Sequence, residues 1–409
     1  MKSNYYHKAL IVAAVGIFYT NVPGYVYNSH GWTTLDEPKH WALLFCLLAL
    51  PVLVIRMTAW NALRSPVALW CFGFAWLTVL WFFSSSQSEI AWQEVRWRFL
   101  AIIEILVFLM IFLEPTAVRW ARKTLVVAVL LGVVFNIYEL FYPLSFSKVI
   151  GRSAGLYENP NMAGEALILG MILSVTVLNP RYRGPFILLT GLGILSTFSR
   201  AAILMWVIAV GGLIFMRGIS LKELLPACFM GFVLVVLIVL PRWDDLLTTW
   251  ERTGVLNVNV QERLEWFMDP SGVSDMSSWE RKHVAQRAWD KILEHPVLGS
   301  GTGSSYEGGL PPHNQYLSFM QDHGLIGAMI LPLLILAVTC VARGETRRVA
   351  IVFGCVIMMQ SFFTHGIINF GHYLVLFSLM AAMSGHREIK RTVAMDMREE
   401  GAGQAVVRA

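Results

Sequence analysis

Gly299–Gly327 reads GSGTGSSYEGGLPPHNQYLSFMQDHGLIG, and how this stretch is read decides the fold. A polar segment from about Arg242 to Pro312 leads into it, and an apolar run resumes after it. Pro311-Pro312 fixes the backbone just before His313. Proline suits a first helical turn, where amide protons lack partners in any case. The pattern therefore predicts a helix starting near Pro312, with His313 and Asn314 in its first turn. The positive end of a helix dipole disfavours an imidazolium there. A neutral imidazole is what a general base needs. The plainer alternative is an interfacial histidine that only hydrogen-bonds locally.

The rest of the chain sets this stretch in a membrane. Of 409 residues, 56% are hydrophobic and 14% charged, with a mean hydropathy of +0.58. That composition excludes an ordinary soluble domain and predicts an all-α polytopic membrane protein. The net charge of +5 is spread over loop after loop, so it implies no nucleic-acid partner. Cys46, Cys71, Cys228, Cys340 and Cys355 all lie in apolar runs, which supports neither a disulfide framework nor a cysteine-based zinc site. Leu10–Val26 follows Lys2 and Lys8 but lacks an A-x-A-like end, so it reads as a first span and not as a cleaved signal.

A helix needs about twenty apolar residues to cross the hydrocarbon. Twelve spans are expected, near 9–27, 41–55, 66–83, 97–113, 124–142, 162–178, 185–198, 201–217, 222–241, 317–342, 348–364 and 367–385. Pro185–Arg217 is too long for one span and short for two. Arg181 and Arg183 flank one end, Arg217 and Lys222 the other, so the run should enter and return, turning at Thr197-Phe198-Ser199-Arg200. With the N-terminus inside, cytoplasmic segments hold most of the 32 Lys and Arg residues. The expected organisation is spans one to nine in 1–241, a partly helical periplasmic loop in 242–316, spans ten to twelve in 317–385, and a cytoplasmic tail in 386–409.

Arg152, Arg200, Arg263, Arg281, His313 and His323 are expected to share the outer face. Arginine suits phosphate because its planar guanidinium binds oxygens bidentately and stays charged. Snorkelling to headgroups is the competing role of an arginine at a helix end, and it is the reading preferred for Arg96, Arg98 and Arg242. Arg200 differs, because no acidic residue lies within a dozen positions of it in sequence. Asn159 and Asn161 bond sugar or phosphate, or else only cap the sixth span. Glu104 and Glu139, set in or near apolar runs, are structural pairs or functional groups. Trp243, Trp250, Trp266, Trp279 and Trp289 suit the membrane interface better than sugar stacking. The histidines His283, His295, His313 and His323 lack the close spacing of a zinc site, so no metal is expected.

HPVLGSG at 295–301, the glycine-rich turn, PHNQYL at 312–317 and the run into DHGLIG together resemble the signature block of the O-antigen ligase / Wzy polymerase superfamily. A second block, RSAGLYENPNMAG at 152–164, resembles that family's R-x-x-G-x-x-x-N-P-N-x-x-G. Arg281 stands upstream of Pro296 as a loop arginine does there. The resemblance implies the membrane-embedded C-type glycosyltransferase architecture. It also implies transfer of a glycan from undecaprenyl pyrophosphate to a sugar hydroxyl of lipid A-core, without cofactor or metal, at the periplasmic face of a bacterial inner membrane. His313 is then the base. Arg152, Arg200 and Arg281 hold the pyrophosphate, and Asn159, Asn161, Asn314 and Tyr316 are further substrate contacts. O-antigen polymerase is the nearest rival. Protein O-oligosaccharyltransferase typically has more chain after its last span, and a transporter would gather its polar residues near the midplane.

Overall fold

The computed structural model describes residues 5–30, 37–55, 57–84, 87–157, 159–268, 276–307 and 311–385; the tail expected at 386–409 lies outside them. Among these residues every regular element is helical. The elements are α1 (Tyr5–Ala13), α2 (Val22–His30), α3 (Pro38–Ile55), α4 (Pro66–Phe83), α5 (Glu89–Phe112), α6 (Pro115–Phe141), α7 (Pro160–Ser174), α8 (Pro180–Leu195) and α9 (Arg200–Phe215). They continue with α10 (Leu221–Leu234), α11 (Trp243–Arg252), α12 (Val258–Met268), α13 (Met276–Glu294), α14 (Gln315–His323), α15 (Gly327–Thr339), α16 (Glu345–Gln360) and α17 (Gly371–Gly385).

The starts of these helices are written locally. Ser65, Ser88, Asn159 and Ser199 each accept a hydrogen bond from an amide of the following turn, the usual work of an N-cap. Pro66, Pro115, Pro160 and Pro180 occupy the first turn, where their missing N–H costs nothing.

Six helical segments are long and apolar enough to cross a membrane, or seven if Tyr5–Tyr19 and Val22–Ser29, bent by 48°, form one span. That is fewer than the twelve expected. The difference has two sources. The helices α8, α9 and α16 have 16 residues each and α17 is also short, so each falls short of a full crossing. By contrast α5 is long but carries Glu94, Arg96, Arg98 and Glu104 along its length. The reversal expected at 197–200 is present as the tight turn between α8 and α9.

The bundle is built around α7. Of the span Pro160–Val177, 78% is buried, against 0% of the most apolar stretch within Leu221–Arg252. Between helices in lipid, packing contacts and hydrogen bonds drive association in place of the hydrophobic effect. Tyr19 supplies one such bond, its hydroxyl donating to the Ala166 carbonyl at 2.9 Å. The N-terminal end of this central helix carries the candidate site.

Candidate active site

The site is assembled on the turn between α8 and α9. Phe198 adopts a positive φ of 46°, which turns the chain sharply and leaves the acceptors of this turn available. Thr197 offers its carbonyl to Arg152 Nε at 3.0 Å, and Phe198 offers its own to Arg263 Nη1 at 3.3 Å. The Ser199 hydroxyl donates to Asn161 Oδ1 at 2.8 Å, and the same oxygen accepts from Arg152 Nη2 at 3.1 Å. Arg200 opens α9 directly after this turn.

Arg152 reaches the turn because its loop is fixed from below. Glu139, near the end of α6, accepts from the amides of Phe146 (3.1 Å), Ala154 (2.8 Å) and Gly155 (3.1 Å), and also from that of Ser147. Four backbone donors on one carboxylate satisfy a group that would be costly buried alone. Of the two readings open for Glu139, this geometry is the structural one.

The arginines expected at the site come together. Arg152 is only 8% exposed, and its side chain bonds to neutral acceptors; among the described residues it has no carboxylate partner. Burial, followed by the nearby charges of Arg263, Arg281 and Arg200, pushes its guanidinium down to about 9. Arg263 on α12 and Arg281 on α13 thus lie over the α8–α9 turn. Each of Arg200, Arg263 and Arg281 has further interacting neighbours, so none is a free charge.

His313 stands at the edge of this group, with its side chain accessible to solvent. The helix expected from Pro312 begins instead at Gln315, and His313 precedes it. The reason is Asn314, which stays extended (φ −155°, ψ 113°) and accepts from the amides of Tyr316 and Leu317 at 2.9 and 3.2 Å. The dipole argument for His313 is replaced by another. Partial desolvation and then the Arg281 guanidinium hold its imidazole below the ordinary histidine value, against the Glu280 carboxylate. Its ring meets that of His365 edge-on, with centroids 5.0 Å apart. Burial, with His313 beside it, brings His365 down to about 4.

Other expected contacts are engaged locally. Asn159 caps α7, accepting from the Asn161 amide at 2.9 Å. The Tyr316 hydroxyl donates to the Met358 carbonyl at 3.1 Å. His323 does not join His313. It is fully buried at the end of α14, its Nε2 2.6 Å from Arg98 Nη1.

Arg98 corrects the snorkelling expectation. It is 2% exposed, bonds Glu94 Oε1 at 3.0 Å, and pairs with Asp322. Asp322 in turn accepts from the amides of Gly303 (3.1 Å) and Ser305 (2.9 Å), so this network ties the glycine-rich turn to α5. The turn lies directly against the end of α14. Gly299 and Gly324 both have positive φ, and a Cβ on Gly299 would meet the Gly324 amide nitrogen at 2.4 Å. Arg96 is an exposed ion pair with Glu89 at 2.8 Å.

Two residues near the site were not singled out by sequence reasoning. Glu165 lies one turn beyond Asn161 on α7, takes a hydrogen bond from the Tyr373 hydroxyl, and is within electrostatic reach of Arg281. Its signal was available, as a carboxylate inside an apolar run. His365 is the other, in the short polar interruption before α17.

Residues 185–332 match the family model described as O-antigen ligase. That match covers about a third of the chain and supports membership of the O-antigen ligase / Wzy polymerase superfamily. The match contains Arg200, Arg263, Arg281, His313 and the Asp322-His323 pair; Arg152, Asn161 and His365 lie outside it. No curated protein is similar in sequence to the chain. The match supports a glycosyl-transferring ligase or polymerase in general, acting on a lipid-linked glycan in a multi-pass membrane setting. Among the described residues no group of three or more His, Cys, Asp and Glu side chains is placed to hold a metal ion.

Proposed function

We propose that this chain is an O-antigen ligase that transfers a glycan from undecaprenyl pyrophosphate to a sugar hydroxyl of lipid A-core. The observation that carries the reading is Arg152, a buried arginine without a carboxylate partner among the described residues, gathered with three further arginines beside His313. A pyrophosphate is the ligand such a group suits, because guanidinium forks match phosphate oxygens.

In this mechanism the acceptor hydroxyl attacks C1 of the donor sugar. The bond from C1 to the phosphate oxygen breaks, and negative charge grows on the departing pyrophosphate. Arg152, Arg200 and Arg281, with Arg263 beside them, stabilise that charge where it develops. His313 takes the hydroxyl proton; its depressed proton affinity keeps it neutral and able to accept. A single displacement inverts the anomeric centre. Asn161 holds Arg152 and Ser199 in place. The reading keeps the twelve spans expected from the sequence, with both termini in the cytoplasm and the site facing the periplasm. Transfer should survive EDTA, since the arginines supply the charge that a divalent ion would otherwise bring.

The test is the lipopolysaccharide of a deletion strain. Core without long chains, with intact polymer accumulating on the lipid carrier, is the expected result. Core capped by one repeat would instead make the chain a polymerase.

A further inference from the structure

A cavity of about 670 Å³ adjoins this site, with Asn159 and His365 in its wall. Ligand pockets typically fall between about 300 and 1,000 Å³, so it has room for a substantial molecule. One side is a continuous stripe of α5: Ile90, Gln93, Glu94, Trp97, Ala101 and Glu104 all line it. Their spacing of three and four residues places them on one helix face. At 1.5 Å per residue the stripe runs about 21 Å from Ile90 to Glu104.

Glu104 distinguishes this cavity from a lipid groove. Four glutamates are buried among the described residues: Glu94, Glu104, Glu139 and Glu165. Three are satisfied, by Arg98, by four backbone amides and by Tyr373 respectively. Glu104, at 7% exposure, has no hydrogen bond or ion pair with any described residue, and it lines the cavity. A buried carboxyl group without partners is costly to leave unsatisfied. An isoprenoid chain offers it no donor, whereas sugar hydroxyls do. Amides of Gln93, Asn159 and Asn369 and the apolar faces of Trp97 and Phe370 give this part of the wall both hydrogen bonding and stacking surface, next to an aliphatic part that includes Leu100, Met162 and Leu374.

We propose that this cavity is a saccharide subsite, in which Glu104 accepts hydrogen bonds from sugar hydroxyls while Trp97 packs against a ring face. The proposal rests on the glycosyl-transfer reading and extends it by placing a sugar of donor or acceptor along α5. The experiment uses the purified full chain with Glu104→Gln, Glu104→Leu and Trp97→Ala. The probes are lipid-free core oligosaccharide and lipid-free O-glycan, with binding measured by calorimetry. Glu104→Leu should weaken one of the two by at least about tenfold, the size expected for losing one or two buried hydrogen bonds, with Glu104→Gln intermediate. The saccharide affected identifies the subsite as donor or acceptor. Melting temperature should not fall in Glu104→Leu, because an unpartnered buried polar group is removed. The proposal is overturned if wild-type protein binds neither saccharide, or if Glu104→Leu binds both as wild type does. Glu104-dependent binding without transfer to lipid A-core would instead leave the subsite standing and sink the ligase reading.

Discussion

Arg98 and Arg152 are both buried, yet their surroundings are opposite. Arg98 is enclosed by Glu94 and Asp322, with His323 on a third side. Arg152 is held by neutral acceptors and stands near three other arginines. A buried charge whose partners are built in is part of the scaffold, and removing one partner leaves the other stranded. A buried charge placed among like charges raises the energy of the empty site and lowers it again when an anion arrives. Burial alone therefore does not distinguish a structural arginine from a binding one; the identity of the neighbours does.

The two histidines give the widest contrast. His313 lies by the arginine group and His323 by Arg98. His313→Ala should slow turnover by about 10²–10⁴, the usual contribution of general base catalysis, while donor binding stays near wild type. His323→Ala should act on thermal stability first. Turnover of the His313 variant above about a tenth of wild type would remove it as the base.

Arg98→Met sharpens the scaffold side. It strands Glu94 and Asp322 and should cost about 3–5 kcal/mol, read as a lower melting temperature in detergent. The triple change with Glu94→Leu and Asp322→Leu should recover part of that loss, because no buried charge is left uncompensated. A single variant that melts like wild type would mean the network does not hold the glycine-rich turn.

Arg200 probes the binding side. Arg200→Ala should lower kcat by about 10²–10³. Arg200→Lys should lose most activity as well, since lysine keeps charge but not the fork. Both proteins should fold. If lysine restores turnover, Arg200 is an interfacial anchor.

Much of this contrast was legible in the sequence, and the part that was not has a physical cause. The arginine group could be read because each member sits in a motif or turn with local signals: Arg152 before N-P-N, Arg200 at a reversal with basic flanks. The helix start near Pro312 was misplaced by two or three residues, since Asn314 competes with proline for the first turn and its side chain takes the cap. Arg98 could not be paired from sequence. Its partners Asp322 and His323 lie 224 and 225 positions away, and only packing brings them together. The close approach of Gly299 to Gly324 explains why the glycine-rich turn and the DHGLIG run form one unit, although twenty-odd residues separate them. The spans were harder still, because charges along α5 and the shortness of α8 and α9 blur the apolar signal.

The smallest expected effect is a shift in pH dependence, and its sign follows from two neighbours of His313. A base must be neutral, so kcat/KM should fall on the acid side as the imidazole of the free enzyme takes up a proton. Desolvation and Arg281 both disfavour the imidazolium, and Glu280 favours it. The acid limb of the wild type should thus lie below the ordinary histidine value of 6.5. Replacing Arg281 with glutamine removes a cation that repels the proton, so the limb should move up in pH. Replacing Glu280 with glutamine removes an anion that attracts it, so the limb should move down. Arg281→Gln will also lower the plateau, because Arg281 is assigned to the donor, but the position of the limb is independent of its height. The profile of kcat/KM across the acid range for the three proteins reads both shifts. Limbs that coincide, or that move in the same direction, would show that the titrating base is not His313.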